Sequence, residues 1–133
     1  MRAPIDTKEE FSFINRAKSF ANAGKGVVVF LKTTPNAWIQ LLIFLVAVAL
    51  GFYFRITATE WMFLVIAAGM VLAAEAFNTA IEIDIDLTSP EFHPYARDTK
   101  DVAAGAVLIT AVTAFIIGIS IFGVPIITYL SSV

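Results

Sequence analysis

The stretch "NAWIQLLIFLVAVALGFYF", Asn36 to Phe54, runs for 19 residues without a charge. At ~1.5 Å per residue, a helix of this length crosses roughly the 30 Å of hydrocarbon in a bilayer. A helix on a soluble core would show a polar face, and this one shows almost none. Lys32 and Arg55 close the run on either side. Beyond Arg55 the pattern repeats: Trp61 to Ala74 carries no charge, and none occurs after Asp101. The expected spans are therefore residues 36–54, about 60–87 (with Glu75 and Glu82 inside the second) and about 100–122. "GVP", Gly123 to Pro125, is expected to interrupt the third helix.

The rest of the composition agrees with a membrane protein. Of the 133 residues, 59% are hydrophobic and only 15% charged, far from the balance of a soluble domain. A net charge of −2 gives no electrostatic footprint for nucleic acid. The absence of cysteine rules out disulfides and thiolate metal sites. No repeat, linker or low-complexity tract divides the chain, so residues 1–133 read as a single membrane domain of all-α class.

The N-terminal segment has no charged-then-apolar-then-cleavage pattern and reads instead as a surface helix over about residues 8–31. Thr7 and Glu10 have capping-box spacing. Phe13, Ile14, Ala17, Phe20, Ala21 and Gly24 then recur on one face, as in a helix lying in the membrane interface or packed on the spans. Six of the nine basic residues precede the first span, one (Arg55) lies in the first loop, and Arg97 and Lys100 follow the second. The positive-inside rule places the N-terminus and the second loop in the cytoplasm. Thr57 and Glu60 again have capping-box spacing, at the start of the second span.

The deepest part of that second span is "EAFNTAIEIDID", Glu75 to Asp86. With ~100° per residue, Asn78, Thr79, Glu82 and Asp86 all fall within about 60° of Glu75, while Asp84 points to the opposite side. A polar seam thus runs from mid-membrane toward the cytoplasmic end. An ionisable group in hydrocarbon costs ~3 kcal/mol on insertion scales, so such a seam marks a functional site or strong interhelical hydrogen bonding. Three helices of one chain are not expected to shield Glu75, Asn78 and Glu82 from lipid, which calls for neighbouring subunits. The loop "SPEFHPYARDTKD" adds Glu91, His93, Arg97, Lys100 and Asp101 near the cytoplasmic end, with Asp98 placed to cap the third helix. Carboxylates suit Mg²⁺, lysine suits phosphate as a point charge, and a desolvated carboxylate suits general-base work. On these residues alone, two readings stand: phosphate chemistry at a membrane surface, or an ion or proton pathway.

"AAEAFNTAIE" (Ala73 to Glu82), "SPEFHP" (Ser89 to Pro94) and "KDVAAGAVL" (Lys100 to Leu108) resemble the integral-membrane diacylglycerol kinase and undecaprenol kinase family of prokaryotes, and look more like its undecaprenol-kinase branch. The resemblance implies a homotrimer in the bacterial cytoplasmic membrane, each chain with three transmembrane helices and an amphipathic surface helix, and with sites shared between subunits on the cytoplasmic side. It implies an ATP-dependent kinase that phosphorylates a membrane alcohol with Mg²⁺. Glu75 would be the general base and would meet the lipid with Asn78 and Lys18. Glu82 would hold the metal. Lys100, Asp101, Glu91, Phe92, His93 and Asn22 would hold the nucleotide together with Glu82. At the position where the family places a second metal-binding glutamate, in a "Thr-Glu-Pro-Asn" setting, this chain reads "TTPN", with Thr34 there. A threonine offers a metal only a neutral oxygen, and before Pro35 it also suits a helix N-cap. The resemblance therefore leaves room for a diacylglycerol kinase or for a weakened enzyme. A P-loop is excluded, because no Walker-type glycine motif is present.

Overall fold

The structure is a computed structural model that describes residues 13–132. The Thr7–Glu10 cap and the expected helix start near residue 8 lie outside the described residues. Four helices follow one another: α1 (Phe13–Thr33), α2 (Pro35–Phe54), α3 (Ala58–Thr88) and α4 (Pro94–Ser131), and no strand occurs among the described residues. The last three are long and apolar enough to cross a membrane.

The breaks follow from local chemistry. Pro35 opens α2 and disfavours helical geometry in the residue before it, so Thr34 is extended at φ −118°, ψ 94°. Arg55 closes α2 in the left-handed region, at φ 54°, where its N–H turns back to Gly51 and Phe52. Thr57 then caps α3 with the expected box: its hydroxyl accepts from the Glu60 N–H, and the Glu60 carboxylate accepts from the Thr57 N–H at 2.7 Å. Two expectations need correction. His93, not Asp98, caps α4, since its Nδ1 accepts from the Tyr95 N–H and Pro94 fills the first helical position. Nor does "GVP" stop the helix, which continues through Pro125 to Ser131 and begins well before residue 100. Proline already has a helical φ and deletes one hydrogen bond, whereas ending the helix in hydrocarbon would strand several backbone groups.

α3 and α4 pack as an antiparallel pair, and α2 leans on α3. The buried residues of α3 are Leu64, Ala67, Val71, Glu75, Asn78 and Thr79. Their spacing of three and four makes one stripe, apolar toward one end and polar toward the other. At the apolar end Leu64 meets Ile121 and Phe122. There α2 comes close through Gly51, with Trp61 against its backbone. Away from the charged end of α3 and start of α4, the remaining faces of α2, α3 and α4 are largely exposed and apolar, the pattern that lipid rather than water accepts. α1 is exposed along nearly its whole described length, with Phe13 and Phe20 both open.

Candidate active site at the polar end of α3

The polar half of the stripe is built from α3 and the first turns of α2. Glu75 is 3% exposed, although it carries a carboxylate. Asn36 and Gln40 of α2 reach it from across the helix interface. The Gln40 Nε2–H donates to Glu75 Oε2 at 2.8 Å, and the Asn36 Nδ2–H approaches Oε1 at 3.4 Å. Neither Asn36 nor Gln40 stood out in the sequence. The available signal was a pair of amides four residues apart at the head of an otherwise apolar run.

One turn further along α3, Asn78 Nδ2 donates to Glu82 Oε1 at 3.2 Å. The Oδ1 of Asn78 is buried without a partner, as is the Oε1 of Gln40. The hydroxyls of Thr34 and Thr79 lie 2.8 Å apart, both residues being buried, so Thr34 sits at the N-cap position while its side chain is tied to α3 instead of capping α2. Past Glu82 the seam reaches solvent, where Lys100 Nζ binds Asp86 Oδ1 at 2.6 Å. Arg97 and Asp101 form an exposed i,i+4 pair at 3.6 Å, a contact of little energetic weight.

Glu75, Asn78 and Glu82 thus line one face as the helical geometry required, and Lys100 joins that face through Asp86. Asp84 is exposed, away from it. Lys18 and Asn22 on α1, and Glu91 and Phe92 in the α3–α4 loop, are exposed and neither hydrogen-bonded nor ion-paired to the seam. His93 serves as the α4 cap and lies against Tyr95, with ring centroids 5.6 Å apart. The expectation that one chain leaves the seam open to lipid fails for two of its members. Glu75, which Asn36 and Gln40 of α2 reach, and Asn78 are buried within the single chain, and of the three Glu82 alone is exposed.

The donor set fits a hard cation only in part. Glu82 offers an exposed carboxylate beside the unpaired carbonyl oxygen of Asn78, both oxygen ligands. No group of three or more His, Cys, Asp or Glu gathers among the described residues, so the chain alone forms no cage. Mg²⁺ is commonly held by one or two carboxylates with phosphate oxygens and water, which this arrangement allows.

Comparison with known proteins agrees with the motifs. Residues 21–122 match the family described as prokaryotic diacylglycerol kinase. The chain is 36% identical over 119 residues to the undecaprenol kinase of Bacillus subtilis (strain 168), covering 89% of this chain and 97% of that protein. It is 29% identical over 107 residues to a diacylglycerol kinase of Helicobacter pylori (strain ATCC 700392 / 26695), covering 75% and 84%. With the diacylglycerol kinase of Escherichia coli (strain K12) the identity is 28% over 109 residues, covering 77% and 89%.

Proposed function

The chain belongs to the prokaryotic diacylglycerol kinase family and is a membrane lipid kinase, and from that premise we propose that it transfers the γ-phosphoryl group of ATP to the hydroxyl of undecaprenol. The observation that carries the chemistry is the buried carboxylate of Glu75, held by neutral amides and, among the described residues, by no cation. A lysine or arginine in contact would oppose protonation of the carboxylate far more strongly than a neutral amide donor does.

In this reading the acceptor's hydroxyl oxygen attacks the γ-phosphorus, the bond to the β-phosphate oxygen breaks, and ADP leaves. The hydroxyl proton passes to Glu75. Such a transfer demands mainly positioning and neutralisation of charge. Glu82 would hold Mg²⁺, with Asn78 orienting its carboxylate, and the ion would supply neutralisation of phosphate charge. Lys100 exchanges Asp86 for a phosphate oxygen, a move open to it because the pair is at the surface. Asp101, Glu91, Phe92, His93 and Asn22 take the nucleotide, and Asn78 and Lys18 take the lipid. Support for undecaprenol is the 36% identity to a kinase named for it. Diacylglycerol is the second acceptor to test, because two of the relatives above are named for that substrate. The distribution of basic residues supports a cytoplasmic active site, and the family resemblance supports a homotrimer.

The test is phosphorylation by the purified chain in bilayers, with ATP, Mg²⁺ and each alcohol separately. Undecaprenol should turn over faster than diacylglycerol, and Glu75→Gln should lower turnover by ~10²–10⁴ with nucleotide binding kept. Inside-out membrane vesicles should accept external ATP, and right-side-out vesicles should not. Faster turnover of diacylglycerol would reassign the acceptor, and near-normal turnover in Glu75→Gln would remove the base.

A further inference from the structure

We propose that Asn36 and Gln40 form an amide clamp that sets the plane of the Glu75 carboxylate, which makes both of them positioning residues for phosphoryl transfer. The proposal rests on the reading of Glu75 as the base and adds how that base is aimed.

Asn36 and Gln40 are one helical turn apart on α2 and face α3 together. Each addresses a different oxygen of the same carboxylate, Gln40 the Oε2 at 2.8 Å and Asn36 the Oε1 at 3.4 Å. Two donors on two oxygens fix the rotation of the group, which a single bond leaves free. Each carboxylate oxygen has further lone-pair capacity, so the clamp does not occupy the position a proton needs. A base is effective only when aimed at its proton, and aim is supplied by neighbours that are themselves held.

The cost of Gln40 is the second line of argument. Its Oε1 is buried without a partner, an arrangement that detracts from stability. Gln40 also borders a cavity of about 530 Å³ between α2, α3 and α4 whose lining is otherwise apolar, including Phe44, Leu72 and Phe115. Methionine or leucine would remove the stranded amide oxygen but would leave the buried Glu75 Oε2 without its donor. An amide kept here at such a cost serves Glu75.

The experiment is a double-mutant cycle in bilayers, with the activity, kcat and the KM for ATP of Gln40→Met, Glu75→Gln and the double variant. Methionine keeps the length of glutamine and removes the donor. Gln40→Met should lower kcat roughly ten- to hundredfold, the worth of a hydrogen bond to a charged group, and leave the KM for ATP unchanged. In the Glu75→Gln background the same change should add less than about twofold, because a residue that acts through Glu75 has nothing left to aim. Asn36→Ala, at the exposed and longer arm of the clamp, should show a smaller kcat loss of the same kind, and carries the test should Gln40→Met fail to fold. Full kcat in Gln40→Met alongside an impaired Glu75→Gln overturns the clamp and spares the base. Losses that simply add in the double variant also overturn it, because they describe a structural role. Full kcat in Glu75→Gln removes the base itself and the clamp with it.

Discussion

Thr34 shows how one residue can change the chemistry of a site without leaving the fold. The family resemblance places a metal-binding glutamate there; this chain has a hydroxyl, 2.8 Å from that of Thr79 and buried with it. The hydroxyl therefore links the α1–α2 junction to α3, and in the proposed mechanism Glu82 supplies the carboxylate for Mg²⁺. Thr34→Val should leave the half-saturating Mg²⁺ concentration unchanged while costing about 1–3 kcal/mol of stability, because it strands the Thr79 hydroxyl. Thr34→Glu should lower the half-saturating Mg²⁺ by adding a charged ligand, and Glu82→Gln should abolish activity at any practical concentration. Initial rates titrated with Mg²⁺ across the three variants decide this. A higher Mg²⁺ requirement in Thr34→Val would return the hydroxyl to the metal. At this scale the sequence was legible where a charge interrupts an apolar run, which exposed Glu75 and Glu82 at once. It was illegible where the partner is neutral. Asn36 and Gln40 look like ordinary residues at the edge of a span until α2 is laid on α3, and only a tertiary contact joins them to residue 75.

The elements were largely written in the charge pattern, because a bilayer permits so few alternatives to a helix. α2 and the capping box of α3 match the reading closely. α4 does not, because proline punctuates helices in water more strongly than in hydrocarbon, and because the helix begins at His93-Pro94 rather than at Asp98. What pattern could not reveal is which faces meet. Among the described glycines, Gly51 is the tightest contact: a Cβ there would come within 2.7 Å of Trp61 Cη2 and 3.0 Å of Ile56 Cδ1. The backbone approach is fixed by the turn at Arg55 and by Phe52, whose ring lies 4.9 Å from that of Trp61. Gly51→Ala should therefore destabilise the α2–α3 pair by about 1–3 kcal/mol through overpacking. Trp61→Phe should cost less in the Gly51→Ala background than alone, because the smaller ring relieves the clash. Reversible unfolding in mixed micelles measures both. A Gly51→Ala chain as stable as the original would show that Trp61 swings aside freely and that α2 is not held at this end. The active site is predicted to notice, since the same helix carries Asn36 and Gln40 at its other end.

For the whole molecule, the question is which parts of the site one chain supplies. The burial of Glu75 and Asn78 within one chain removes their exposure to lipid as a reason for assembly, so a trimer has to rest on what a neighbour adds. α3 and α4 form the most extensive contact in the chain, and across it Lys100 is bound to Asp86 at 2.6 Å, one turn beyond Glu82. Within one chain the lysine thus already meets the carboxylate seam. The pieces left open are α1, with Lys18 and Asn22, and the loop that carries Glu91 and Phe92. Those are the parts through which subunits would share a site. Mixing two inactive chains tests the division. Glu75→Gln lacks the proposed base, and Lys100→Met lacks the proposed phosphate contact. If Lys100 serves the seam of its own chain, every site in a mixed assembly misses one group, and co-reconstitution should restore no activity. If Lys100 reaches into a neighbour's seam, the mixture contains sites with both groups intact, and activity should return in proportion to mixed assemblies. The chain has no cysteine, so a single introduced cysteine per variant reports mixing by crosslinking in the same samples. Recovered turnover in crosslinked mixtures would show that the Asp86–Lys100 pair is exchanged between subunits in the working enzyme. Silence in mixtures that demonstrably crosslink would place the base, the metal carboxylate and the lysine in one chain.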